Sequence, residues 1–352
     1  VVPNAFENSF KKAYVLNPSI PKGMLEAVAY TQTRFVHLTD DMEKSCVGVP
    51  QAQTIMGLIE DGKNYFRNNL QKVSQLSGYR VEDIKSDVET SILAYAKAFS
   101  TLQQQQNVYG INFKNYLSIL IELSELPKEQ ELQQNYALSA HLYQLFWFLN
   151  NNELQEYYNF PQYTIDMQSI FGDNYAVLSA KSVIINNQSI SGNGSTYKLN
   201  NSVTMSMSPD YPSAIWDPTT CNYSSRGGTA ITAVTMHFVQ GSYAGCISWF
   251  KNCSANASAH YVVRSSDGQV TQMVLESNKA WHVGSENPYT VGIEHEGYIS
   301  SASWFTNAMY NSSGALTRDI CNSNGINKLR TYYGPGCSGS SSSCLQGSCV
   351  KV

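Results

Sequence analysis

Four of the six histidines of this 352-residue chain fall between His237 and His295, and the last stands between Glu294 and Glu296. Imidazole is the usual zinc ligand and the side chain that titrates nearest neutrality, so histidines set among carboxylates point to metal-assisted or general acid–base chemistry. Taken alone, each is better explained as a hydrogen-bonded structural residue. Their order along the chain is what argues for a site. Thiols form a second group: seven of the eight cysteines lie between Cys221 and Cys349, and Cys46 stands alone before them. Zinc binding and disulfides are both open to them. No Cys-x-x-Cys pair occurs and the surrounding sequence is loop-like, which favours disulfides in an oxidising compartment. Cys337, Cys344 and Cys349 sit in a Gly/Ser-rich stretch that needs a crosslink to hold a shape.

Such groups act only when rigid elements hold them. From Asn17 to about Asn150 apolar residues recur at spacings of three and four, as in Met24-Leu25-Val28-Ala29, Ile55-Met56-Leu58-Ile59, Ile92-Leu93-Tyr95-Ala96 and Leu142-Leu145-Phe146-Leu149. This predicts an all-α domain over 1–150, its first helix running from about Lys22 after the Pro-containing entry Asn17-Pro18-Ser19-Ile20-Pro21. Asn150-Asn151-Asn152-Glu153 breaks the period, and the Val, Ile, Ser, Thr and Asn of 174–207, with a Gly-Asn-Gly turn at Gly192, predict a β-rich connector over 151–210. Beyond Tyr211, strand-like runs (Thr232 to Met236, His260 to Val263) alternate with the helical run Ser303 to Cys321. That alternation predicts an α/β domain with a central mixed β-sheet over 211–352.

Composition removes several classes. The length predicts two or three domains, which excludes a disulfide mini-scaffold. Charged residues are 14% and aromatics 12%, with 23 Tyr, so the surface is polar chiefly through uncharged side chains and intrinsic disorder is not expected. A net charge of -4 without a basic stripe argues against nucleic acid as a partner. No apolar run approaches the ~20 residues needed to cross a bilayer. The chain starts at Val1, as one from which a signal peptide has been removed would, so export is expected, to a periplasmic, cell-surface or extracellular setting.

Between about Tyr211 and Ile326 a series of blocks follows a recognisable order. Ala233-Val234-Thr235-Met236-His237 is followed by Gln240-Gly241-Ser242-Tyr243-Ala244-Gly245 and Ser258-Ala259-His260-Tyr261-Val262-Val263. Then come Asp267-Gly268-Gln269-Val270, Ala280-Trp281-His282-Val283-Gly284, Val291-Gly292-Ile293-Glu294-His295-Glu296-Gly297-Tyr298 and Trp304-Phe305-Thr306-Asn307-Ala308-Met309-Tyr310. In these blocks the chain resembles the zinc-dependent N-acetylmuramoyl-L-alanine amidases of the type 2 amidase and peptidoglycan recognition protein superfamily. The resemblance implies one zinc ion, with His237 as its first ligand and Glu294 as the carboxylate that positions or deprotonates the attacking water. It places Trp281, His282 and Tyr243 against the glycan or stem peptide, with His260 and Tyr261 as supporting strand residues. The Cys246/Cys253 pair resembles the short disulfide that recognition proteins carry just after the first zinc histidine. The chemistry is coherent: zinc with an open position polarises an amide carbonyl, and a nearby carboxylate carries a proton to the leaving amine.

The resemblance stops short at one place. The family's remaining ligands, a histidine and then an aspartate or cysteine, follow the helix that here ends near Cys321, but no histidine occurs after His295. Either those ligands lie beyond Val352, the expectation favoured here, or the zinc site is incomplete and hydrolysis is lost. Cys344 and Cys349 can bind zinc in principle, but a Ser/Gly loop ordered only by its own metal is an unusual hydrolase site.

Upstream, Ile20 to Phe35 resembles the first catalytic helix of lysozyme-like lytic transglycosylases, and Met56-Gly57-Leu58 resembles their following block. Glycan cleavage on that fold needs a protonated carboxylic acid, and Gln32 occupies its position. An amide is no acid, so the domain is expected to grip glycan or serve structure, with Glu26 a solvated surface residue. The resemblance therefore implies a peptidoglycan amidase cutting the lactyl amide between N-acetylmuramic acid and L-alanine. The alternative is a non-catalytic peptidoglycan-binding subunit within a cell-envelope protein complex.

Overall fold

The computed structural model describes residues 6–63, 65–127, 136–179 and 209–328, with the backbone of 184–186, 189–192 and 195–198. It separates into two units, Val1–Met42 with Pro50–Gly172, and Glu43–Val49 with Asp173–Val352.

The first unit is helical: α1 (Glu7–Leu16), α2 (Met24–Thr33), a short antiparallel pair β1 (Ala52–Gln53) and β2 (Leu58–Ile59), then α3 (Asn69–Ser77), α4 (Val81–Ser86), α5 (Val88–Gln106), α6 (Leu117–Leu123), α7 (Tyr136–Leu149), α8 (Asn152–Tyr157) and α9 (Met167–Phe171). Helix α2 is buried on nearly every side and enters at Gly23, whose φ of 89° and lack of Cβ let the Phe160 ring close over it. Three sequence expectations are corrected here. Helix α1 precedes the entry taken as the first; it buries only Phe10 and Ala13, too sparse a stripe to read. Ile55 to Ile59 forms a hairpin instead of a helix, because Thr54 and Gly57 adopt positive φ and the apolar residues are buried on both sides, which mimics a helical spacing. The helical unit also runs past Asn150 to Gly172. Asn151 caps α8 by accepting from the Leu154 N–H at 3.1 Å, while Phe160 stacks on Phe148 and Phe171 packs on Phe146.

The second unit contains α10 (Asn174–Ser179) and a three-stranded antiparallel sheet, β3 (Ile184–Asn186), β4 (Ser189–Gly192) and β5 (Ser195–Lys198), where short strands were expected. There follow β6 (Ile215–Trp216), β7 (Tyr223–Ser225), β8 (Ala233–Phe238), α11 (Tyr243–Lys251), β9 (Tyr261–Val263), β10 (Val270–Gln272), β11 (Asn278–Ala280), β12 (Thr290–His295) and α12 (Asn307–Asn324). Five of these strands make one mixed sheet in the order β6-β10-β9-β12-β8: β9 and β10 are antiparallel, and β12 runs parallel to both β8 and β9.

Strand alternation then sorts the side chains. Val234, Val291 and Ile293 face α12 and form a core with its Met309, Leu316 and Ile320. The intervening residues His237, Glu294, Val262 and Thr271 are register neighbours on the opposite face, which α11 covers; the Tyr243 hydroxyl meets Thr271 there. Cys253 is bonded to Cys221, with Cα atoms 5.5 Å apart. The expected Cys246–Cys253 pairing is thereby overturned: Cys246 lies inside α11 with its side chain fully buried. Cys337, Cys344 and Cys349 lie outside the described residues.

Candidate functional site

His237, near the end of β8, pairs in register with Glu294 on β12. Both are buried, at 3% and 0% exposure, and the histidine brings its Nδ1 to 3.5 Å from the Sγ of Cys46. Cys46 arrives on the Glu43–Val49 segment, which is clamped to the α/β unit by the Trp249 indole N–H donating to the Val47 carbonyl at 2.9 Å. Ligand atoms of Cys46, His237 and Glu294 all lie within 4.8 Å of one another, and this is the one such group of three among the described residues.

The two glutamates that flank His295 differ sharply. Glu296 accepts from the Tyr243 and Ser265 backbone N–H groups at 3.0 and 2.8 Å. Neither oxygen of Glu294 has a hydrogen-bond partner, and burial pushes its carboxyl up to about 8. A buried carboxylate without a donor or cation is unfavourable by several kcal/mol in its charged form. Glu294 is therefore built to meet something that arrives, a proton or a cation. The fit to zinc is chemically sound: a thiol, an imidazole nitrogen and a carboxylate make a borderline-soft donor set of the kind that ion prefers.

A relay of hydrogen bonds fixes the His237 ring. The Thr290 hydroxyl donates its single proton to the Glu286 carbonyl at 2.8 Å, so the His282 Nε2, 3.2 Å from that oxygen, must be the donor to it. His282 is neutral, its pKa driven well below the usual value by burial, so its Nδ1 is an acceptor. That Nδ1 lies 3.0 Å from the His237 Nε2, which must then carry the proton. His237 is likewise neutral, lowered to about 3 by burial, and its Nδ1 presents a lone pair towards Cys46 and Glu294. Gly292 permits the relay, since a Cβ there would stand 2.5 Å from the His282 Nδ1.

The remaining histidines are held elsewhere. The Nδ1 of His260 accepts from the Gly292 N–H at 3.0 Å and its Nε2 lies 2.8 Å from the Arg226 guanidinium. His295 faces α12, with its Nε2 2.7 Å from the Ser313 hydroxyl. Of the residues expected against substrate, Trp281 is half-buried, its indole N–H on the Ser224 hydroxyl at 3.2 Å. His282 and Tyr243 are placed otherwise than expected: both are buried, His282 behind His237 and Tyr243 beneath the sheet face against Thr271. Sequence reasoning missed Cys46. Its isolation from the other seven cysteines was the available signal. A cavity of about 480 Å3 bordered by Asp210, Arg226, Glu276 and Asp319 shares no residue with the cluster; it lacks the imidazole–thiol–carboxylate convergence that gives the buried cluster its chemistry.

In the helical unit, Gln32 donates from its Nε2 to a Glu125 oxygen at 2.7 Å, both groups buried. Glu26, expected on the surface, is 9% exposed and bound by the Tyr14 hydroxyl, because α2 is enclosed on both flanks.

A mixed α/β sheet with a buried imidazole and an orphan carboxylate on one strand pair, and a half-buried thiol beside them, makes a candidate hydrolase centre. Residues 227–344 match the family model described as N-acetylmuramoyl-L-alanine amidase. Over 127 residues the chain is 48% identical to N-acetylmuramoyl-L-alanine amidase A of Achromobacter lyticus, covering 36% of this chain and 72% of that protein. The chain belongs to the N-acetylmuramoyl-L-alanine amidase family. Solved structures similar to it include a selenomethionine derivative of AmpD (22% identity, 34% of this chain and 81% of that one, TM-score 0.29). Another is the Staphylococcus aureus hydrolase AmiA in complex with its ligand (19% identity, 38% and 66%, TM-score 0.30).

Proposed function

We propose that the α/β unit is a peptidoglycan amidase that hydrolyses the lactyl amide between N-acetylmuramic acid and L-alanine. The observation that carries this reading is the unpartnered, fully buried Glu294 beside His237. His237 would hold one zinc ion through Nδ1, and the ion when bound would supply Lewis-acid polarisation of the scissile carbonyl. Glu294 takes a proton from the attacking water and returns it to the L-alanine nitrogen as the C–N bond breaks, so the carboxylate is regenerated. The proton affinity that burial gives the metal-free site suits the return of the proton, and a cation at His237 would favour the ionised form that takes it. His282 acts from behind, holding the His237 tautomer, and Trp281 is the member of the expected substrate set with exposed surface to offer a sugar or stem peptide.

The helical unit is proposed to be lysozyme-like and non-catalytic, since its acid position is an amide already engaged by Glu125. Export to the periplasm or cell surface fits a wall substrate, and the Cys221–Cys253 disulfide suits an oxidising setting. No helix among the described residues is long and apolar enough to cross a membrane. The test is stem-peptide release from purified peptidoglycan by the full chain. Glu294→Gln should lower the rate by roughly 10²- to 10⁴-fold with the fold retained. An unchanged rate in that variant would remove Glu294 from the reaction.

A further inference from the structure

We infer that Cys46 is a thiolate ligand of the metal held at His237, supplied to the α/β unit by the Glu43–Val49 segment. The inference rests on the reading of this cluster as a metal centre and names a ligand from the opposite end of the chain to the cysteines of the C-terminal tract.

Distance is the first argument. A tetrahedral zinc with Zn–S of about 2.3 Å and Zn–N of about 2.0–2.1 Å sets its sulfur and nitrogen ligands about 3.6 Å apart. The Cys46 Sγ and His237 Nδ1 are 3.5 Å apart. The second is the orientation of the ring. His237 turns its Nε2 to the His282 Nδ1 at 3.0 Å, which leaves its Nδ1 as the ring nitrogen turned towards that sulfur, the orientation a metal ligand requires. Third, Glu294 puts an unpartnered carboxylate, wholly buried, within reach of the same point. A cation is the ligand that answers a thiolate and a carboxylate together in a buried place.

The segment is also held firmly enough to present a ligand. Val47 and Val49 are buried to 4% and 8% exposure, and the Trp249 indole fixes the backbone one residue from Cys46. Cys46 is not in a disulfide. The other thiol close by, Cys246, is enclosed in α11 and is not one of the three groups whose ligand atoms converge.

Cobalt(II) loaded into the full chain gives a readout independent of catalysis, because a thiolate ligand produces a sulfur-to-cobalt charge-transfer band in the near ultraviolet. The wild type should bind cobalt and show the band. Cys46→Ser should lose it, with metal affinity reduced by roughly 10- to 100-fold, the loss that even outer-sphere changes can cause. Cys46→His should bind cobalt without the band, which separates ligand identity from damage to the fold, and Cys246→Ser should keep the band. Failure of the wild type to bind cobalt, binding without the band, or a band that survives Cys46→Ser would each overturn the inference. Amidase assays run in parallel keep it distinct from the functional reading: a band without wall hydrolysis sinks the function alone, and hydrolysis without a band sinks the ligand alone.

Discussion

His237 and Glu294 stand opposite each other as register partners on the parallel strands β8 and β12, both facing away from α12. One pairing therefore delivers an imidazole lone pair and an unpartnered carboxylate to a single buried point, and a slip of one residue would turn one of them into the apolar core.

This pairing makes the metal-free protein sensitive to pH in two directions. Burial raises the Glu294 carboxyl from 4.5 to about 8, so the folded state holds a proton that the unfolded state has released, and stability falls as pH rises between those values. Burial lowers His237 and His260 from 6.5 to about 3 and His295 to about 4, so the unfolded state takes up protons first and stability falls as pH drops below about 6.5. Between 4.5 and 6.5 the three histidines outweigh the one glutamate, so urea denaturation of the metal-free chain should show a maximum near pH 6.5. Glu294→Gln should flatten the alkaline limb and leave the acid limb in place.

Gly292→Ala should disturb the site without touching a candidate ligand. Its Cβ would stand 2.5 Å from the His282 Nδ1, forcing the ring off the His237 Nε2. The expected destabilisation is about 1–3 kcal/mol, as for other overpacked cores. Wall hydrolysis should fall further than the unfolded fraction accounts for; a loss of activity no greater than the loss of folded protein would show the relay to be dispensable.

The disulfide has a direct chemical check. Labelling of the denatured, unreduced protein should modify Cys246 and leave Cys221 and Cys253 blocked, and Cys221→Ser should lower stability by about 2–4 kcal/mol, the usual range for a bridge. A blocked Cys246 would restore the pairing that the sequence resemblance implied.

Gln32→Glu would place an acid in the helical unit but set a second carboxylate against the Glu125 oxygen, which the Gln32 amide now meets at 2.7 Å. Two such groups cannot both ionise at that distance. The variant should be less stable by about 1–3 kcal/mol and release no sugar fragments from peptidoglycan. Reducing-end or anhydro-sugar release by the variant would show that the proposed lysozyme-like unit lacks only the acid.

Local pattern alone determined a good deal of this protein. The alternation of Val234, Met236 and Phe238 with Thr235 and His237 announces a strand with one apolar face, and the spacing of Leu142, Leu145, Phe146 and Leu149 announces a buried helix, because both periods follow from backbone geometry. The strand positions of His237 and Glu294 were legible for the same reason, while the roles expected of them came from the resemblance. What the tertiary structure decided was every relation between residues distant in sequence. Cys253 bonds to Cys221 because their Cα atoms converge, whereas its neighbour Cys246 turns inward with α11. His282 became a support for His237, and Tyr243 a core residue, because the packing of β12 and α11 encloses them. Cys46 joined the cluster through chain closure over a long separation, which no local period encodes and only the folded contacts around Val47 and Trp249 specify.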